Sequence, residues 1–142
     1  MHTVMQLLQA KGTEIYTIGS NATVFDALKL MAEKDVGALV VVDDGRLAGI
    51  ISERDYARKV ILLGKSSHDM AVREIMTAKV ITVHPGQTVE ECMALMTGKR
   101  FRHLPVTEGE RLIGVLSIGD LVKDVIAEQE QTIKQLESYI HS

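Results

Sequence analysis

The chain has 142 residues, 46% apolar and 25% charged, a mix that excludes an intrinsically disordered chain. Aromatics make up 4% and Trp is absent, so the core must be aliphatic, and a formal charge of −3 excludes a whole-surface field for nucleic acid or an anionic membrane. One cysteine, Cys92, excludes an internal disulfide, and no apolar run approaches the roughly 20 residues of a membrane-crossing helix.

The chain opens with MHTVMQLLQAKG, which lacks the basic and long apolar parts of a secretory signal, so the cytoplasm is the expected address. Residues 3–10 read as a short helix with Val4, Leu7 and Leu8 on one side, within an N-terminal segment 1–12. A first unit, 13–64, begins with a β-branched stretch, Ile15–Ile18, and the turn Gly19–Ser20–Asn21. Thr23 stands three residues before Asp26 at a capping-box spacing, and Val24, Ala27, Leu28 and Met31 follow at helical intervals. Ala38–Val42 reads as a buried strand, Asp44–Gly45 as a hairpin turn and Leu47–Ile51 as the returning strand. A second helix opens at Ser52, and Gly64 is its expected stop.

A connector, 65–79, follows, with Asp69 placed to cap a short helix over Val72–Met76. The pattern then starts again. Shifted by 65, residues 15–61 fall on 80–126 without a gap, with 15 of 47 positions identical, where composition alone gives about three. The second unit, 80–127, has its first strand at Val80–Val83, the turn His84–Pro85–Gly86 and the Thr88/Glu91 cap. Its helix carries Val89, Cys92, Met93 and Met96, and its hairpin strands are His103–Thr107 and Leu112–Leu116. A further helix starts at Ser117 and runs into an extension, 128–142, where Ile126, Ile133, Leu136 and Ile140 form a narrow apolar seam. The seam packs on its own module or meets a partner. The unit is β-α-β-β-α, twice, an α+β (α/β-like) fold in which two small sheets stacked face to face would bury what each alone exposes.

The chemistry concentrates where each third strand turns into a helix: SERD (Ser52, Glu53, Arg54, Asp55) and SIGD (Ser117, Ile118, Gly119, Asp120). A hydroxyl three residues before a carboxylate is a capping box. The same geometry also sets a phosphate-binding helix start beside a carboxylate able to accept from two ribose hydroxyls. Two copies at matched positions are far more specific than one.

The twofold β-α-β-β-α pattern, the paired SxxD turns, the strand Leu112–Ile113–Gly114–Val115–Leu116–Ser117 and the run FRHLPV (Phe101–Val106) resemble cystathionine-β-synthase-type (CBS) repeats. The resemblance spans roughly residues 13 to 127, a tandem pair or Bateman module of the stand-alone bacterial or archaeal type. It implies two repeats related by a pseudo-twofold axis, binding adenosine compounds in clefts between them, and modules that pair into a disc-shaped dimer. Carried over residue by residue, Asp55 and Asp120 would hold ribose hydroxyls, while Ser52, Arg54, Ser117, Arg102 and His103 would meet phosphate. Thr17, Ile18, Ala38, Thr82, Val83 and Leu104 would flank adenine, largely through backbone groups.

The copies differ. Gly37 and Ala38 stand against Arg102 and His103, and Glu53 and Arg54 against Ile118 and Gly119. Each half thus supplies part of a basic set, and such a set favours a phosphate ligand over the sulfonium of S-adenosylmethionine. The expected ligand is an adenine nucleotide, AMP first, then ATP, ADP or NAD(H), acting as regulator rather than catalytic cofactor. Expected partners are a second copy and a protein reached in trans, with no nucleic acid and no membrane; Lys99, Arg100 and Arg102 are too short a basic run for RNA or DNA. His2, His68, His84, His103 and His141 show no metal-ligand spacing, so no metal is expected. With only His84, His103 and Cys92 as candidate base or nucleophile, the chain does not read as an enzyme. The competing reading is a structural dimerisation module that binds no ligand.

Overall fold

The structure is a computed structural model that describes residues 2–12, 14–99 and 101–141. Met1, Thr13, Arg100 of the basic run and Ser142 lie outside the described residues. Helix α1, Val4–Lys11, is capped by Thr3, whose Oγ1 accepts the Gln6 amide at 3.3 Å while the Thr3 amide donates to Gln6 Oε1 at 2.9 Å. The first repeat then runs β1 (Thr17–Ile18), α2 (Val24–Lys34), β2 (Ala38–Asp43), β3 (Arg46–Ser52) and α3 (Glu53–Lys59). The second runs α4 (Val89–Lys99), β4 (His103–Glu108), β5 (Arg111–Ser117) and α5 (Ile118–His141).

The local signals hold. Thr23 and Thr88 accept from the amides of Asp26 and Glu91 at 3.0 and 3.2 Å. Asp44 and Gly45 both take positive φ, 50° and 76°, the twist a two-residue hairpin needs. In each hairpin the register slips once at the matched place, between Val41 and Val42 and between Val106 and Thr107.

Four expectations change. The first strand of the second repeat shrinks to a single bridge, Val83 to Val106. In the first repeat the Val40 amide donates to Tyr16 O at 3.3 Å. The matching residue is Pro105, which has no amide proton, so that ladder bond is missing. In the connector, Asp69 caps nothing; one 3-10 turn spans Val72–Glu74, with the Ala71 amide donating to Glu74 Oε2 at 2.6 Å. Helix α3 stops at Lys59, and a 3-10 turn, Ile61–Leu63, carries the chain to Gly64 in the left-handed conformation, φ 69°.

The largest change concerns the core. Among the described residues, the buried ones do not merge into one layer between stacked sheets but form two clusters. Repeat 1 buries Val24, Ala27, Met31, Leu39, Val41 and Ile51 with Val72 and Ile75 of the connector. Repeat 2 buries Val89, Cys92, Met96, Leu104, Leu116 and Leu121 with Val4, Leu7 and Leu8 of α1. Each core is therefore closed by the segment that precedes the other repeat. Backbone bonds follow the same exchange: Val24 N–H donates to Met70 O at 2.9 Å, and Val89 N–H to His2 O at 3.0 Å. Gly49 and Gly114 mark the closing points. A Cβ on Gly49 would stand 2.5 Å from Thr77 O, and one on Gly114 2.6 Å from Leu8 Cδ2.

Candidate ligand-binding clefts

Both SxxD turns fold as capping boxes. The Ser52 amide and hydroxyl donate to Asp55 Oδ2 at 2.9 and 3.0 Å, and the Asp55 amide donates to Ser52 Oγ at 3.2 Å. At the second turn the Ser117 amide donates to Asp120 Oδ2 at 2.7 Å and the Asp120 amide to Ser117 Oγ at 3.2 Å. The next amide is also engaged: Glu53 N–H donates to Gly37 O and Ile118 N–H to Arg102 O. With these donors satisfied within the protein, the helix starts offer little to a phosphate, which shifts the task to side chains.

Each carboxylate also holds a lysine. Lys59, one turn further along α3, lies 3.2 Å from Asp55 Oδ1 and donates to Ile75 O at 2.9 Å. Asp120 Oδ2 is met at 2.6 Å by Lys11, which reaches across from α1 and also donates to Val115 O at 2.7 Å. Burial pushes the Asp120 carboxyl up, but the bonds from Lys11 and Ser117 outweigh it and hold it below the ordinary aspartate value.

Of two clefts, the larger is lined by residues of both turns and the smaller by Lys11, which holds Asp120; Asp120 itself lines neither. The smaller, about 400 Å³, lies among Lys11, Tyr16, Lys34, Val36, Ala38 and Val115. The larger, about 810 Å³, is built from both repeats: Ser52, Arg54, Asp55 and Arg58 from the first, and Phe101, Arg102 and Ser117 from the second. Both volumes lie within the span of small-molecule sites. His103 lines both clefts. Burial lowers its pKa, with Lys11 and Arg102 adding to the effect and Asp120 and Asp55 opposing it, so its ring is neutral at pH 7.

Arg54, Arg58 and Arg102 crowd the larger cleft closely enough that Arg102, then Arg58, depress the Arg54 pKa. Among the described residues none of the three is paired with a carboxylate. The two halves of the basic set thus meet across the repeats. Arg58 escaped the sequence reading, although it lies four residues beyond Arg54, on the same face of α3. Lys11 carried no local signal.

The other singled-out residues are spread more widely. Ala38 lines the smaller cleft. Thr17 and Ile18 form β1, next to Tyr16 of that cleft. Leu104 and Val83 are core residues whose side chains face no cleft, leaving only backbone groups to meet a ligand. Thr82 lines neither cleft. Cys92 is buried in α4, and burial, with Glu91 adding, pushes its thiol up to about 11, so it offers no thiolate at neutral pH. His2, Asp124 and Glu128, distant in sequence, offer ligand atoms all within 4.8 Å of one another, with His2 Nδ1 2.7 Å from Asp124 Oδ1. No helix among the described residues is long and apolar enough to cross a membrane.

A family model of the CBS domain matches residues 11–61 and 72–127. A protein with CBS domains from Burkholderia ambifaria MC40-6 is 60% identical in sequence and superposes with a TM-score of 0.87, covering 90% of this chain and 96% of that one. The mitochondrial CBS domain-containing protein CBSX3 of Arabidopsis thaliana is 49% identical over 123 residues, 83% of this chain; the match spans 60% of that relative's length. The CBS domain pair of protein MJ0100, solved in complex with 5′-methylthioadenosine and S-adenosyl-L-methionine, is 25% identical with a TM-score of 0.79, covering 90% of this chain and 98% of that one.

Proposed function

The chain belongs to the CBS-domain family as a pair of CBS repeats, and from that premise we propose that it is a regulatory protein that binds an adenine nucleotide in the larger cleft and signals in trans. The observation that carries this reading is the meeting of Arg54, Arg58 and Arg102, drawn from both repeats and without carboxylate partners among the described residues. Three like charges repel one another, and a phosphate group would neutralise them. Asp55, 14% exposed, would accept from ribose hydroxyls beside them, and Phe101 would stack on adenine. AMP is the first candidate, then ATP, ADP or NAD(H). The adenosine ligands bound by the MJ0100 pair support the nucleoside part, while the arginines favour phosphate over a sulfonium. The smaller cleft, lined by Lys11 with Asp120 behind it, would be a weaker second site. A ligand that grips both repeats favours one arrangement of them, and that bias is what a partner protein or a second copy would sense. Catalysis is no part of the reading, and the cytoplasm is the proposed compartment.

The test is a thermal-shift panel of nucleotide-stripped protein with AMP, ADP, ATP, NAD, NADH and S-adenosylmethionine. At 100 times its Kd a ligand adds about 2.7 kcal/mol, several degrees for a domain of this size. Arg54→Ala with Arg102→Ala should raise the Kd of the responding nucleotide by about 100-fold, taking about 1.5 kcal/mol for each lost charged contact. A second reading, a structural dimerisation module, draws on the finding that both SxxD turns are satisfied as helix caps. No shift with any compound would decide for it.

A further inference from the structure

Helix α5 changes character along its length. Its first turns pack Leu121 into the repeat 2 core, with Val125 against it. From residue 129 every described residue to His141 is exposed. That leaves a projecting rod of about 20 Å at 1.5 Å per residue. The outward face from Val122 onward carries a heptad stripe: Val122, Ile126, Gln129, Ile133, Leu136 and Ile140, spaced four, three, four, three and four. Of these, Ile133, Leu136 and Ile140 are 54%, 57% and 74% exposed. A helical arm this short is marginal in water without a partner for its apolar side.

The stripe is complementary to itself. Laid antiparallel on a second copy, it sets Val122 against the partner's Ile140, Ile126 against the partner's Leu136 and Gln129 against the partner's Ile133. The other three layers repeat these by the twofold axis, as an isologous contact requires. The flanking positions on one side are Lys123, Glu130 and Glu137. In the antiparallel pair Lys123 faces the partner's Glu137, twice over, against one like-charge meeting of Glu130 with its copy. In a parallel pair these residues face Val125, Thr132 and Tyr139, and the attraction is lost.

From the charge pattern and the layers together, we infer that the C-terminal helix is a self-association arm: two copies of the chain join through an antiparallel pair of α5 helices, repeat 2 beside repeat 2. This names the surface for the second copy included in the functional reading above. None of the six stripe residues lines either cleft, so nucleotide binding and pairing can fail separately.

Sedimentation equilibrium of the full chain tests it. The wild type should be a dimer, and Ile133→Glu with Leu136→Glu a monomer that keeps its nucleotide response and melts where the wild type melts once diluted to a monomer. Lys123→Glu or Glu137→Lys alone should weaken the dimer about tenfold, since each turns two attractions into two repulsions. The double exchange should restore the wild-type constant. A dimer that survives Ile133→Glu with Leu136→Glu would remove the arm but keep the second copy. A wild type that is a monomer at about 100 times the protein concentration of the thermal-shift assay would remove both. Double exchange that is weaker than either single exchange would overturn the antiparallel order.

Discussion

The two repeats share a plan but are closed by different materials. Repeat 1 is sealed by the connector, whose backbone comes within bonding distance of β3: Thr77 N–H donates to Ile50 O at 2.8 Å and Ile50 N–H to Thr77 O at 3.0 Å. Repeat 2 is sealed by a helix that contributes side chains, Val4, Leu7 and Leu8. The clefts differ in parallel. Repeat 1 has Arg54 and Arg58 facing Arg102 and its own Lys59 on its carboxylate, whereas repeat 2 has Ile118 and Gly119 and takes Lys11 from α1. What stayed alike after duplication is what the backbone needs: the Thr caps, the SxxD boxes and the two glycines. What diverged is the charge beside those boxes, Arg54 against Gly119 and Arg102 against Gly37.

The comparison can be broken first at the side-chain seal. Leu8→Ala removes a buried residue of the repeat 2 core and should cost about 2–5 kcal/mol in chemical denaturation, a loss that leaves the contacts of the repeat 1 core in place. An unfolding curve displaced by less than 1 kcal/mol would mean that α1 is not a structural part of repeat 2. The glycine pair sharpens the contrast. Gly49→Ala pushes against a backbone carbonyl that is itself hydrogen-bonded, whereas Gly114→Ala meets the tip of a side chain. Overpacking of this kind costs about 1–3 kcal/mol. Gly49→Ala should fall at the top of that span and Gly114→Ala at the bottom; the reverse order in thermal midpoints would contradict the division into backbone and side-chain seals.

The smallest expected effect belongs to His103. Its folded pKa is below the unfolded value, so the unfolded chain takes up the proton first. Its contribution to stability is complete above the unfolded pKa, about 6.5, and is lost as pH falls from there through the folded pKa. A bound phosphate would raise that pKa, so nucleotide affinity should grow over the same fall in pH. His103→Gln should flatten both slopes, and unchanged slopes would remove His103 from the clefts' electrostatics.

Much of this was legible in the sequence because it is local. The 65-residue shift, Thr23 and Thr88, Asp44–Gly45 and the SxxD spacing each act within a few residues, and the structure keeps them all. The meeting of Arg54 with Arg102 was legible from the unlike copies once the pair was read as stacked. The closing of each core was not, because apolar residues at helical spacing show that Val4, Leu7 and Leu8 are buried without showing where. Lys11 and Asp120 are 109 residues apart, and no pattern joins them. The lost ladder bond at Pro105 lay in plain view, but its effect depends on which strand Pro105 faces.

The exchange of seals also orders events along the chain. Helix α1, which precedes both repeats, has its seat on β5, which comes after the other four strands, so Leu8 must wait for Gly114. Repeat 1 meets its connector much sooner. Neither half is a free-standing folding unit, since each lacks a wall that the other's leader supplies. Native contacts of such sequence separation slow folding, and protection of the α1 amides should be the last to appear.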